Sequence, residues 1–334
     1  MKKIRVGVVG LGWVAQVFHL PMLTRMEDAE VVAVCDKDRA RTKLIGEKFS
    51  IPEVYSDFQQ LLERDDIEAV IICTSTDAHH AVTMAALHAG KHAFVEKPIT
   101  RTLREARELT EEANKRKLTM MVGMNNRFRP DTMILKSFIE KGELGKLFYA
   151  KGGWLKSLSD TNPWMTRKDK SGGGVVLDLG IAMLDLLLWM MGFPPVTHVS
   201  ATTYSHKTRS VEDTCIATVK LKPDSIITIE ASWSLLSAQD YFYCNLFGTE
   251  GSAVINPLRI HKQLHGNLVN LTPATTDTPN GLYRKSYENE LRHFIGALRG
   301  LHPVISTGEE AMERMKVVEA IYRSSQAGKE VRLT

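Results

Sequence analysis

The sequence predicts an α/β protein of two domains: an N-terminal doubly wound parallel sheet, then an α/β domain with a large open, mostly antiparallel sheet. Three observations carry this. Short apolar runs alternate with helical patterns through the first third of the chain, as in parallel strands joined by crossover helices. A glycine turn separates the first apolar run from the first helix. From Val196 onward, strand-like runs recur at roughly ten-residue spacing, divided by turn signals such as Pro223-Asp224 and Glu250-Gly251. The length of 334 residues also suits about two domains.

Residues 4–9 read as a buried strand, and Gly10-Leu11-Gly12-Trp13-Val14-Ala15 follows without a gap to open a helix. A second apolar run, 31–35, ends on Asp36. Each part has a task in holding a dinucleotide. Gly10 allows the tight turn, Gly12 lets backbone approach a pyrophosphate, and Ala15 lets the helix lie against the strand. The helix N-terminus faces the phosphate charge. Asp36, about 20 residues past the turn, can accept hydrogen bonds from ribose hydroxyls. Its carboxylate favours NAD, because it repels the 2′-phosphate of NADP. Lys37, Arg39 and Arg41 lie close behind and soften that preference. The cofactor-binding candidates here are Gly10, Leu11, Gly12, Trp13, Val14, Asp36, Lys37 and Arg41.

The alternation continues with a helix over 39–49, a short strand at 54–55, and Asp57 placed to cap a helix through Leu61-Leu62. Strand 69–73, helix 80–89, strand 92–95, a helix opened by the Thr102/Glu105 capping box, and strand 119–122 complete the first domain. The pattern changes near Asn125, giving domains over 1–124 and 125–334. The second begins with a helix over 130–141 and a strand at 147–150. The very apolar stretch 174–193 carries Asp178 and Asp185. An unpaired Asp near a bilayer centre costs about 2.5–3.5 kcal/mol, so a helix buried in protein is expected rather than a membrane span. Strands are expected at 199–204, 214–221, 226–233, 241–247 and 253–255, and helices at 288–299 and 309–326, the last opened by Thr307 and Glu310.

Composition narrows the class. Net charge is +4, with Lys and Arg scattered, which gives no nucleic-acid surface; Lys115-Arg116-Lys117 reads as a helix end. The four cysteines form no C-x-x-C pair and suggest neither zinc nor a disulfide framework. No signal peptide is evident, so a reducing cytoplasm is the expected compartment.

Ligands of an open parallel sheet bind at the carboxyl ends of its strands. Thr74-Ser75-Thr76 with His79 follows the fourth strand, and Glu96-Lys97-Pro98 follows the fifth. A lysine there can steer a substrate oxygen or move a proton; position alone fits equally a surface lysine before a turn. Asp178, Ala182 and Asp185 share one helix face. Two carboxylates on a buried helix need partners or a polar cleft, and a cap or salt bridge remains an alternative for each. Asp178 follows Gly172-Gly173-Gly174, where backbone can approach a ligand.

The glycine turn, Gly90-Lys91-His92 leading to Glu96-Lys97-Pro98, the Arg127-Phe128 pair, and Gly172-Gly173-Gly174 running to Asp178 resemble the Gfo/Idh/MocA family over nearly the whole chain. The resemblance implies a Rossmann domain, a C-terminal α/β domain, a held NAD or NADP, and hydride transfer on sugars, polyols or cyclitols. It also implies pairing into a homodimer or homotetramer through the C-terminal sheet. It makes Lys97 and Asp178 the catalytic candidates. It adds Thr74, Ser75, His79, Glu96 and Lys97 to the cofactor contacts, and gives Lys97, Arg127, Trp164, Arg167, Asp178 and Ala182 to the substrate side. His19 is read as packing. One departure stands out: the family pattern Asp-x-x-x-His becomes Asp178…Ala182, and alanine cannot move a proton. A NAD-retaining lyase or glycoside-cleaving enzyme, and a non-catalytic dinucleotide-binding protein, therefore stay open as alternatives.

Overall fold

A computed structural model describes residues 2–157, 163–274 and 277–333. The chain forms two compact units, Met1–Asn125 with Arg284–Met312, and Asn126–Tyr283 with Glu313–Thr334.

The first unit holds a parallel sheet of β1 (Ile4–Val9), β2 (Ala29–Cys35), β3 (Glu53–Tyr55), β4 (Ala69–Ile72), β5 (His92–Val95) and β6 (Met120–Val122), in the order β3-β2-β1-β4-β5-β6. Val6, Val8, Val70, Ile71, Phe94 and Val95 are wholly buried, because crossover helices cover both faces of the central strands. Strand order reverses between β1 and β4, which opens a crevice at their carboxyl ends. Asp57 and Thr102 cap their helices as the sequence suggests. The helix after β4 runs Thr76–His88, four residues ahead of the expectation, since Ser75 holds the extended N-cap conformation and Asp77 sits in the first turn. Arg284–Met312 joins this unit through Phe294 and Ile295, both fully buried, and through Ser306, whose Oγ donates to the Val122 carbonyl at 2.7 Å.

The second unit is built on a nine-stranded sheet: β7 (Leu147–Leu155), β8 (Val196–Tyr204), β9 (Thr214–Leu221), β10 (Ser225–Ser232), β11 (Tyr241–Gly248), β12 (Gly251–Ile255), β13 (Arg259–Leu264), β14 (Asn267–Asn270) and β15 (Val331–Arg332). The order is β14-β13-β12-β11-β7-β10-β9-β8-β15, antiparallel except where β7 meets β10. The hairpin β13–β14 and the short β15 were not expected from sequence. β14 and β15 are short edge strands and β13 carries mostly polar residues, so they lack the sustained apolar alternation that marks a strand. The hairpin turn is His265-Gly266, both at positive φ. The helix Ile181–Met191 packs on this sheet, with every residue from 181 to 190 buried. Its surroundings make Lys168–Met191, long and apolar enough to cross a membrane, 89% buried over its most apolar window.

The helix Pro279–Leu298 starts nine residues before the expected 288. Pro279-Asn280-Gly281 imitates a turn, but Thr278 Oγ1 accepts the Gly281 N–H at 3.1 Å and starts the helix there.

Candidate active site

The glycine turn ends β1 at the crevice. Gly10 sits at φ +90°, and a Cβ there would lie 2.6 Å from the backbone of Cys73 and Thr74. Around Gly12, by contrast, no atom of the described residues other than its chain neighbours lies within 4 Å of where a Cβ would stand. That open space at a helix start is the cradle a dinucleotide phosphate needs. The helix begins with a π turn, Ala15–His19, before Leu20–Leu23. Asp36, at the end of β2, ties the turn to the strand: Oδ2 accepts the Leu11 N–H at 2.8 Å and Oδ1 the Asp38 N–H at 3.0 Å. Arg41 Nη1 lies 3.3 Å from the same carboxylate, while Lys37 is exposed. Trp13 is 54% exposed and meets Phe18 edge-on, and Phe18 stacks on Tyr287 at 4.1 Å. Val14, Thr74 and Ser75 are partly exposed along this rim. These residues fit a dinucleotide.

Lys97 is half-buried at the end of β5. Its neighbour Glu96 is turned inward. Glu96 Oε1 lies 2.7 Å from His19 Nε2, and Oε2 accepts the Lys97 backbone N–H at 3.1 Å. Burial by itself would raise the Glu96 pKa. The His19 hydrogen bond and the positive charges of His19 and Lys97 outweigh it and hold the carboxyl below its ordinary range. His79 is also directed inward: Nδ1 lies 2.8 Å from the Pro98 carbonyl and Nε2 3.1 Å from the Thr74 carbonyl. Burial pushes its pKa down, against the opposing pull of these two carbonyls. Glu96 and His79, expected on the cofactor side, contact backbone groups of Thr74, Lys97 and Pro98. His19 does pack, edge-on against Phe94 and Tyr287. It also anchors Glu96, which no local signal announces across 77 residues.

In the second unit, Asp178 lies within a π turn, Val176–Gly180, that leads into the buried helix. It is half-buried while its helical neighbours are buried. Trp233, 1% exposed just past β10, donates its indole Nε1–H to Asp178 Oδ2 at 3.0 Å. Ala182, one turn on, is 5% exposed. The preceding glycines serve the fold. A Cβ on Gly173 would overlap the Tyr322 hydroxyl, and one on Gly174 the Glu212 carbonyl oxygen. The close approach expected toward a ligand is thus toward the protein itself. Glu212 Oε1 accepts from the Gly174 and Val176 N–H groups at 2.9 and 3.0 Å and from the Tyr322 hydroxyl at 2.9 Å, capping the start of the Asp178 segment.

Asp185 has a different environment. Arg127 Nε and Nη2 reach its two oxygens at 2.8 and 2.6 Å, and Arg314 Nη1 lies 2.7 Å from Oδ1, all fully buried. Arg127, expected on the substrate side, thus lies in a buried three-member ion network with Asp185 and Arg314. Its guanidinium is bidentate on Asp185 and 0% exposed. Trp164 is half-buried, and Arg167 is exposed with its guanidinium 2.8 Å from Asp169.

Comparison with known proteins agrees with this geometry. Residues 4–124 match the model described as "Oxidoreductase family, NAD-binding Rossmann fold", and residues 136–333 match that family's C-terminal alpha/beta domain. The chain is 28% identical over 348 residues to D-glucoside 3-dehydrogenase of Escherichia coli (strain K12), covering 99% of this chain and 97% of the relative. It is 26% identical over 344 residues to myo-inositol 2-dehydrogenase of Thermotoga maritima, covering 99% and 98%. Levoglucosan dehydrogenase, solved with NADH and levoglucosan, shares the fold at a TM-score of 0.90 and 20% identity, with 99% of both chains covered. With both the NAD-binding Rossmann domain and the C-terminal alpha/beta domain matched, this chain belongs to the Gfo/Idh/MocA oxidoreductase family.

Proposed function

We propose that this chain is an NAD-dependent dehydrogenase of a CH–OH group on a sugar- or cyclitol-like substrate, with Lys97 and Asp178 managing the hydroxyl proton. The observation that carries this is Asp178, a half-buried carboxylate on a helix whose residues from 181 to 190 are all buried. A carboxylate kept at the edge of an apolar helix suits a polar ligand. The relatives named for D-glucosides and myo-inositol support the substrate class.

In this reading residues 1–124, joined by Arg284–Met312, form the cofactor domain, and the rest of 125–334 the substrate domain. Gly10, Leu11, Gly12, Trp13, Val14 and Asp36 hold the dinucleotide, with Thr74 and Ser75 along the same rim. Bound NAD supplies the hydride acceptor. Lys97 polarises the reacting hydroxyl and Asp178 accepts its proton. Trp164 and Arg167 contact substrate, and Ala182 leaves room for its bulk. Phe148, Tyr204 and Ile216, 46%, 55% and 57% exposed on strands of the nine-stranded sheet, support self-association through that sheet. The four free, buried cysteines suit a reducing cytoplasm.

The test is Lys97→Met, assayed by NAD reduction on D-glucosides and inositols. Turnover should fall about 10²–10⁴-fold, the range for a general acid–base group, with NAD affinity little changed. Near-native turnover would remove Lys97 from the mechanism.

A further inference from the structure

We infer that Trp233 is the positioning residue for Asp178, fixing its carboxylate and favouring its ionised form; this rests on the reading of Asp178 as proton acceptor. The indole Nε1–H donates to Asp178 Oδ2 at 3.0 Å. An indole N–H is a donor only. It stabilises a carboxylate, yet it can neither take the transferred proton nor give one up. Its neutrality separates it from the guanidinium partners of Asp185, which place full positive charges on their carboxylate. Ala182, one turn past Asp178, carries no proton-accepting group. With Asp185 on the same face held by two arginines, proton acceptance there falls to Asp178.

Both partners are held from one place. Consecutive acids ahead of β9 grip one member each. Glu212 caps the segment carrying Asp178 through the Gly174 and Val176 N–H groups. Asp213 accepts the Trp233 backbone N–H on its carbonyl at 2.7 Å. Asp213 is itself 0% exposed, and its carboxylate accepts the Lys207 and Thr208 N–H groups. The π turn completes the arrangement: the Ile181 N–H bonds to the Val176 carbonyl, so Asp178 lies within the widened turn. π turns of this kind are common at functional sites. An indole locked at 1% exposure leaves the carboxylate little freedom to rotate away.

Two measurements test the assignment. The first needs no turnover. The chain has five tryptophans, so a sample labelled with ¹⁵N at the indole nitrogens gives few signals. The Trp233 indole resonance, assigned from Trp233→Phe or from replacement by a benzothienylalanine of the same shape, should titrate with Asp178. That titration should vanish in Asp178→Asn. A Trp233 signal flat with pH in the wild type, or one titrating unchanged in Asp178→Asn, overturns the inference.

The second uses activity on D-glucosides and inositols. Loss of the donor should move the acidic limb of kcat/KM to higher pH by about one unit and lower kcat about tenfold, as for a lost hydrogen bond to a charged group. KM should change less than about twofold. If Trp233→Phe does not fold, the benzothienylalanine variant decides. A folded variant with an unmoved acidic limb makes Trp233 a packing residue. Asp178→Asn separates the two readings: full activity in that variant sinks the role of Asp178 itself, whereas inactivity with an unmoved limb in the Trp233 variants sinks only the role of Trp233.

Discussion

The two glycine-rich segments look alike in sequence and differ in what they face. Gly10-Leu11-Gly12 follows β1, and Gly172-Gly173-Gly174 precedes the Asp178 helix. At the first, the space beside Gly12 is empty of protein. At the second, Gly173 and Gly174 press on Tyr322 and Glu212. Glycine removes a side chain in both places. In one the vacated volume is open to a ligand; in the other the protein's own backbone and tyrosine fill it. A glycine run is therefore evidence of close approach, and the approaching partner must be found in three dimensions.

The largest effect should come from Gly174→Ala. The new methyl would overlap the Glu212 carbonyl oxygen, a backbone atom with no rotamer to escape through. A loss of about 3 kcal/mol or more is expected, at the upper end for overpacking, measured by chemical denaturation. Unchanged stability would mean that the glycine run is not packed as described.

Gly12→Ala should show the opposite signature. With no atom of the described residues beyond its chain neighbours within 4 Å of the new methyl, stability should shift by no more than about 0.5 kcal/mol. NAD affinity should fall about tenfold or more, because the methyl enters the phosphate cradle. Calorimetric titration with NAD checks this, and native affinity would break the contrast between the two segments.

The smallest effect sharpens the second segment. Burial raises the Glu212 pKa, against the opposing hydrogen bonds from Val176, Tyr322 and Gly174. A carboxyl whose folded pKa is raised favours the folded state in its protonated form. That contribution is complete below the ordinary value of 4.5 and fades as pH rises through the folded value. Glu212→Gln keeps an acceptor for all three donors and cannot ionise. Wild type should therefore lose stability relative to the variant as pH climbs from 4.5. Denaturation midpoints across that range decide it: a gap independent of pH would show that ionisation of Glu212 carries no folding cost.

Legibility followed the range of the interaction. The turn at Gly10, the acid at Asp36 and the caps at Asp57 and Thr102 were readable because each acts through neighbours a few residues away or at a standard spacing. The parallel first sheet was readable because burial on both faces leaves continuous apolar runs. The β13–β14 hairpin was not, since its strands are short and mostly polar, with β14 at the sheet's edge. Arg127 drew attention through its motif, but its partner Asp185 is 58 residues away. Trp233 was passed over altogether. It ends a strand pattern like any buried aromatic, and its polar contact with Asp178 spans 55 residues.

By itself, the sequence determined the class of protein, the alternation of elements, the dinucleotide turn with its acid, and the position of Lys97 at a strand end. Local sterics, capping and apolar periodicity write these into short stretches of chain. Only tertiary structure decided which polar side chains face inward and which remain available. Glu96 went to His19, His79 to two carbonyls, Arg127 to Asp185, and Asp178 to an indole. The reason is desolvation: a polar atom carried into the interior must find a partner there, and the partner is whichever group the fold brings to it across tens of residues.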